Sequence, residues 1–393
     1  MDDWLVFSVV VVALIVGWLL GNRSRSQQTR PAMPAPLHDE YFVGLNYLLS
    51  DRTDEAIDAF IRALEVNSET IPAYLALARL FRRKGDVERA IKVHQNLLAR
   101  PDLSRSDSLK VQIALAKDYD AIGLLDRAET LLSDIVRQDP PASTRNHTLR
   151  LLIKLYEKER EWFKATQASA LLEPQARAEI AHEVAHYYCE RAAHQINSDD
   201  LNEAQRLLDK AASIDPNCVR TSLLLAQLQM THKDWKLAIK HLQRVEKQDV
   251  AFVSETVSMM RRCHDELGTN DELLRYFEHC MSVAPSASVM LAIAELIKED
   301  RGAYAAGAYI TDELKHYPTI KGFNRLIDLH LSYGGESARD SLRTLRSLTG
   351  TLEMTKPRYR CQNCGYAGKV LLWHCPSCRK WSSTKPVQGL EGE

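Results

Sequence analysis

The sequence predicts an all-α chain: a tetratricopeptide helical solenoid with an N-terminal transmembrane helix and a small C-terminal metal-knuckle domain. Three observations predict it. Apolar residues recur at i, i+3, i+4 and i+7 from Leu37 to about Gly350, and strand-like alternation is scarce. Matching segments lie 34 residues apart: Ala56 in DEAIDAF and Ala90 in ERAIKVH, then Ala204 in NEAQRLL and Ala238 in KLAIKHL. A helix-turn-helix unit repeating at that interval is the tetratricopeptide period. Near the C-terminus two Cys-x-x-Cys pairs, Cys361/Cys364 and Cys375/Cys378, stand ten residues apart.

The N-terminal element is the apolar run Trp4 to Leu20. With Gly21 it reaches 18 residues, roughly 27 Å of helix, enough to span the core of a thin bilayer. Trp4 and Trp18 suit the two interfaces. Asp2 and Asp3 precede the run where a signal peptide carries cations, and no small-x-small cleavage site follows. Residues 1–21 therefore predict an uncleaved single-pass anchor. Arg23, Arg25 and Arg30 follow it, which puts the N-terminus outside and the rest of the chain in the cytoplasm. Residues 22–36, polar and proline-rich, predict a semi-extended linker.

Residues 37–350 predict the repeat array, about eight units and a capping helix pair. With Leu37 as position 1, Gly44 falls at 8, Tyr47 at 11, Ala56 at 20, Phe60 at 24 and Ala63 at 27. Small residues at 8 and 20 let paired helices approach, and the large ones fill the space beside them. Further units start near Ile71, Leu109, Asn146, Ala185, Val219, Ser254 and Ala287; the cap runs from about Lys321 to Leu348. Pro140, Pro216, Pro285 and Pro318 stand where a helix must end. Gly85, Gly123 and Gly268 occupy position 15, in the turn between paired helices, and an insert around Pro101–Asp107 displaces the third unit by four residues. Stacked units form a groove lined by their first helices. On that frame Arg79, Arg82, Arg83, Lys117, Arg150 and Lys154 predict a basic patch for an acidic peptide or protein partner. Leu45 and Leu48 are apolar groove candidates for a homodimer contact.

The tail, residues 356–386, predicts a metal site. Two Cys-x-x-Cys knuckles facing each other surround one ion with the four thiolates of Cys361, Cys364, Cys375 and Cys378, a tetrahedral set that Zn or Fe accepts. Two disulfides are the alternative, disfavoured for a cytoplasmic tail. A segment this short buries no core of its own, so the metal must supply much of its folding energy. Tyr359, Tyr366, Trp373 and Trp381 then form its apolar shell. The chain's net charge of −1 offers no global attraction for nucleic acid. Lys356 to Leu390, however, hold seven Lys/Arg and no acid. Setting these aside with Asp2, Asp3, Arg23, Arg25, Arg30, Glu391 and Glu393 leaves 41 bases and 48 acids in residues 31–355. A basic tail beside an acidic body predicts that the tail docks on the array.

Cys189, Cys218, Cys263 and Cys280 are scattered singly through helical sequence and read as small apolar residues. His182-Glu183-Val184-Ala185-His186 matches the zinc-protease pattern H-E-x-x-H. It lacks a G-x-x-H continuation and straddles the start of the fifth repeat, so it reads as a chance match in helical sequence. The chain is expected not to be an enzyme.

The tail KPRYRCQNCGYAGKVLLWHCPSCRKWSSTKP, Lys356 to Pro386, resembles that of the lipopolysaccharide assembly protein B family of Gram-negative bacteria, and the resemblance extends over the full length. It implies an adaptor in the inner membrane that restrains lipopolysaccharide synthesis by promoting proteolysis of the LpxC deacetylase by the membrane-bound FtsH protease. It also implies contacts with lipopolysaccharide synthesis and transport proteins, and a rubredoxin-like tail packed on the array with Cys361, Cys364, Cys375 and Cys378 as metal ligands. The competing readings are a rubredoxin-type electron carrier and a nucleic-acid-binding zinc ribbon.

Overall fold

The computed structural model of the chain describes residues 39–50, 52–66, 71–333 and 336–393. The expected anchor and linker lie outside them. Among the described residues no helix is long and apolar enough to cross a membrane.

Nineteen α-helices stand among the described residues, and they pack mainly as antiparallel neighbours. In one compact unit, ending at Pro140, α1 (Asp39–Leu49) packs with α2 (Thr53–Val66), α3 (Ile71–Lys84) with α4 (Val87–Leu98), and α5 (Arg105–Ala121) with α6 (Leu125–Arg137). A second unit starts at Pro141. Its helices are α7 (Ala142–Glu159), α8 (Trp162–Ala170), the short α9 (Pro174–Ala178), α10 (Ala181–Asn197), α11 (Leu201–Ile214), α12 (Val219–Thr231) and α13 (Trp235–Gln248). There follow α14 (Val253–Leu267), α15 (Asn270–Val283), α16 (Ala287–Arg301), α17 (Ala303–His316), α18 (Ile320–Tyr333) and α19 (Glu336–Thr355).

The period is visible in two places. Position 20 is the helix-crossing point, and there Ala56, Ala90, Ala128, Ala165, Ala204 and Ala238 are all 0% exposed. A larger side chain would hold the paired helices apart, so the small residue sets their spacing. Position 15 turns the chain between paired helices. Gly85, Gly123 and Gly268 take φ of 89°, 80° and 68° there. Arg160, Asp199 and Lys233, at the same position of other units, adopt φ of 59°, 63° and 61°. The turn demands a left-handed residue whatever its side chain, at a cost of roughly 1–2 kcal/mol where it is not glycine. The return is the closing bond of the helix end, as where the Glu161 N–H donates to the Tyr156 carbonyl at 2.9 Å.

The core is distributed, not central. Separate clusters are centred on Phe60 and Leu80, on Cys189 and Leu208, and on Phe277 and Ile293. Leu45 and Leu48, offered by the sequence as candidates for a homodimer contact, are half-buried and pack against the first of these. The four scattered cysteines are buried. Three helices depart from the sequence frame. Helix α5 begins four residues before Leu109, because the Ser104 hydroxyl accepts the Asp107 N–H at 3.1 Å and caps it there. Helix α9 starts at Pro174 and ends within five residues. Helix α19 runs to Thr355, past Leu348, and delivers the chain directly to the tail. The tail folds as three short antiparallel strands in the order β2-β1-β3: β1 (Tyr359–Cys361), β2 (Ala367–Gly368) and β3 (Thr384–Pro386).

Candidate metal centre

Two knuckles with the same backbone plan hold the cysteines. In the first, the Gly365 N–H donates to the Cys361 carbonyl at 3.0 Å and the Cys361 N–H to the Tyr366 carbonyl at 2.7 Å. In the second, the Arg379 N–H donates to the Cys375 carbonyl at 2.9 Å and the Cys375 N–H to the Lys380 carbonyl at 3.1 Å. The residue after each pair is left-handed: Gly365 at φ 79°, Arg379 at φ 55°. Strand β1 carries Cys361 and pairs with β3, and the Gln362 N–H donates to the Ser383 carbonyl at 2.7 Å, which brings the knuckles face to face. The Lys380 ammonium donates to the Asn363 side chain at 2.6 Å across them.

Facing each other, the sulfurs of Cys361 and Cys378 lie 3.6 Å apart, as do those of Cys364 and Cys375, and all four fall within 4.8 Å of one another. A tetrahedral tetrathiolate with metal–sulfur bonds of about 2.3 Å has edges of about 3.8 Å. The four cysteines therefore fit one Zn or Fe ion, which would supply charge neutralisation and cross-linking, with no open position for substrate. Backbone N–H groups prepare the ligands. The Lys380 N–H leads in holding the Cys378 thiol below its ordinary value. Burial raises Cys361, but the Ser383 hydroxyl and the Cys364 and Asn363 amides outweigh it and leave it at about 6. Burial dominates at Cys375 and pushes it up to about 11.

The tail docks on the second unit of the array, as its charge suggests, but the contact is mainly aromatic. Trp381 is 7% exposed and lies between two imidazoles, His186 at 4.8 Å and His374 at 4.4 Å between ring centres, both stacked. Trp162 and Tyr187 meet it edge-on. Trp373 stacks on Phe252 at 5.2 Å. Three polar contacts surround these: Tyr359 Oη to Glu255 at 2.9 Å, His374 Nε2 to Glu157 at 3.0 Å, and Lys385 Nζ to Asp249 at 2.7 Å. Partly exposed pairs of this kind contribute about 0–1 kcal/mol each. One buried tryptophan removes 150–250 Å² from water, up to roughly 4–6 kcal/mol, so the rings decide the dock. Tyr359, Trp373 and Trp381 thus do not form the tail's own shell, as the sequence suggested. A segment this small cannot surround them, and the array does so instead. Tyr366 stays 37% exposed.

One of the H-E-x-x-H histidines, His186, belongs to this dock. His186 is fully buried, with Nε2 2.7 Å from Ser382 Oγ. Burial holds its pKa below the ordinary value, so the ring is neutral. His182 Nδ1 bonds Asp215 at 2.8 Å. Glu157 is buried enough to raise its pKa, yet donors from His374 and Tyr187 outweigh that and hold it below the usual range. Glu393 fixes the far end. Its carboxylate accepts from the Ser288 N–H at 2.9 Å, from the Ser288 and Ser286 hydroxyls, and from Lys321.

The six groove cations fall in two sets. In the first unit, Arg79 and Arg83 are exposed, Lys117 is half-buried, and Arg82 pairs with fully buried Asp118, which His94 also contacts at 2.5 Å. In the second unit, Arg150 pairs with Glu179, and Lys154 is exposed beside a cavity reaching to the second knuckle. The docking residues Glu157, Trp162, Asp249, Phe252 and Glu255 escaped the sequence reading. Only the charge contrast between tail and body pointed toward them.

Comparison with known proteins agrees with these two parts. Residues 359–386 match the family model described as "Rubredoxin metal binding domain", and residues 73–106 and 196–261 match tetratricopeptide repeat models. A relative named lipopolysaccharide assembly protein B, from Escherichia coli strain K12, is 37% identical over 389 residues, covering 99% of each chain. Its namesake from Haemophilus influenzae is 34% identical over 397 residues, covering 98% of this chain and 99% of its own. Among solved structures, a tetratricopeptide repeat protein from Parabacteroides merdae aligns with 79% of this chain and 98% of its own, at 12% identity and a TM-score of 0.34.

Proposed function

Since the chain belongs to the lipopolysaccharide assembly protein B family, we propose that it is a non-enzymatic adaptor in lipopolysaccharide assembly, held in the bacterial inner membrane by one N-terminal span with its bulk in the cytoplasm. Its task in this reading is to bring the LpxC deacetylase to the FtsH protease and so restrain lipopolysaccharide synthesis, in contact with the synthesis and transport proteins. The observation that carries the reading is similarity over 99% of both chains, array and cysteine tail together. A membrane tether confines adaptor and protease to one plane and raises their effective concentration without new contacts. The metal, held by Cys361, Cys364, Cys375 and Cys378, has a structural part here: it shapes the tail that the array surrounds.

Depletion in the native bacterium tests this. Deacetylase half-life should lengthen on depletion, recover with the wild-type chain, and fail to recover with Cys361→Ser plus Cys364→Ser or with the span deleted. An unchanged half-life on depletion refutes the proteolysis role.

A further inference from the structure

A cavity of about 650 Å³ lies where α7 and α10 meet the second knuckle. Five Lys/Arg line it (Arg150, Lys154, Lys158, Arg379 and Lys380) against two acids, Glu157 and Glu183. Glu157 is already occupied by Tyr187 and His374. Arg150 is held by Glu179 and Lys380 by Asn363. The side chains of Lys154 and Arg379 form no hydrogen bond or ion pair among the described residues, and both are exposed. Both line the cavity, one from the array and one from the tail. The lining also includes the apolar Leu151, Ile153, Ile180 and Trp381, with His147, His182 and Tyr187 beside them.

A second observation is independent of charge. Arg379 holds a left-handed backbone, φ 55°, at the knuckle position where the first knuckle has Gly365. Arginine there is strained where glycine would be free. The knuckle turn demands the left-handed backbone, and the arginine there places a cation in the cavity lining where glycine would place none.

We propose that this cavity is a two-sided clamp for an acidic, partly apolar segment of a protein partner, with Lys154 as the array jaw and Arg379 as the tail jaw. The apolar floor takes a hydrophobic side chain of the segment, and the jaws take flanking carboxylates. Glu183 favours a peptide over a phosphate polymer, because a peptide meets that carboxylate with a backbone N–H. Arg379 directly follows the ligand Cys378, so the clamp is complete only while the tail is folded and docked. The inference rests on the adaptor reading only for the existence of a partner, and its test is binding, not deacetylase turnover.

The test uses the metal-loaded full chain in detergent and a fluorescein-labelled twelve-residue peptide alternating Glu and Leu, followed by anisotropy. Lys154→Glu and Arg379→Glu are each expected to weaken binding at least about tenfold, the scale of a partly desolvated charge pair. Arg379→Gly should weaken it while keeping the tail protease-resistant, since glycine suits the backbone; this separates loss of the jaw from unfolding. Arg206→Glu, on an exposed turn of α11, should leave it unchanged. Equal affinity across all variants overturns the clamp, as does equal binding of a Lys/Leu peptide. Binding of anionic phosphatidylglycerol vesicles that the same variants abolish, without peptide binding, overturns it in favour of a lipid headgroup site. A deacetylase that fails to respond to depletion while peptide binding holds would refute the adaptor reading and leave the clamp standing.

Discussion

The two knuckles share a backbone plan and differ in what surrounds them. The first, Cys361 to Gly365, leaves Cys364 and Tyr366 exposed and closes on glycine. The second, Cys375 to Lys380, adjoins Trp373, His374 and Trp381, which the array encloses, and closes on a strained arginine. One knuckle completes the ligand set; the other completes it and fastens the tail to helices more than 150 residues earlier in the chain, as the His186–Ser382 contact illustrates. The same local motif thus has a purely local energy in one place and a tertiary one in the other. Substitutions should separate them.

Removing the metal should abolish the difference altogether. A structural tetrathiolate zinc contributes roughly 10–16 kcal/mol of apparent binding energy in small domains. After chelation, protease should cut within residues 356–386 while far-ultraviolet circular dichroism retains the array's helical signal. A tail that stays resistant without metal would mean that the aromatic dock suffices.

Side chains beside the two knuckles should then differ by several kcal/mol. Trp381→Ala is expected to lower the free energy of tail opening by about 3–5 kcal/mol. Tyr366→Ala, at the exposed knuckle, should stay within about 0.5 kcal/mol. Native-state proteolysis against denaturant reads both.

Acid should loosen the second knuckle selectively. Burial holds His186 below its ordinary value, so the docked state keeps it neutral while an undocked imidazole titrates near 6.5. The undocked state therefore binds more protons below that pH, and docking free energy falls as pH drops through it. Glu157, also held low in the docked state, adds a loss as pH falls below its ordinary value of 4.5. The groups facing His186 are His182, Cys218, Arg220 and Ser382; of these the Cys218 thiol favours the protonated ring, and burial outweighs it. Tail proteolysis at pH 7.5 and 5.5 should rise at the lower pH and rise less in His186→Gln. Equal resistance of the wild type at both values would refute the assignment.

The smallest effect concerns the closing residues, with opposite signs. Gly365→Ala should cost roughly 1–2 kcal/mol, because a side chain is added at φ 79°. Arg379→Gly should stabilise the tail by up to about 1 kcal/mol. Metal transfer to a competing chelator measures both, and the same sign for both would remove strain as the distinguishing feature.

Much of this was local and therefore legible in the chain. The 34-residue period located the helix pairs because position 20 must be small and position 15 must turn, and both are local demands. The cysteine spacing located the four clustered sulfurs because a knuckle is a five-residue turn. Even the charge contrast of tail and body announced that they meet. By contrast, the sequence showed Trp381 only as a tail aromatic and His186 only as half of a misleading motif. Their stacking joins residues 195 apart in sequence, and no local periodicity encodes a contact of that separation. The clamp cavity has the same character: Lys154 was visible as a groove cation, but Arg379 reaches it only after the metal knuckle folds and the aromatic dock forms. The sequence determined the repeats and the four sulfurs, since each follows from neighbours within a turn or a helix pair. Only the tertiary structure decided which face of the array receives the tail, because that choice depends on fitting large rings into a surface that exists only once several repeats have stacked.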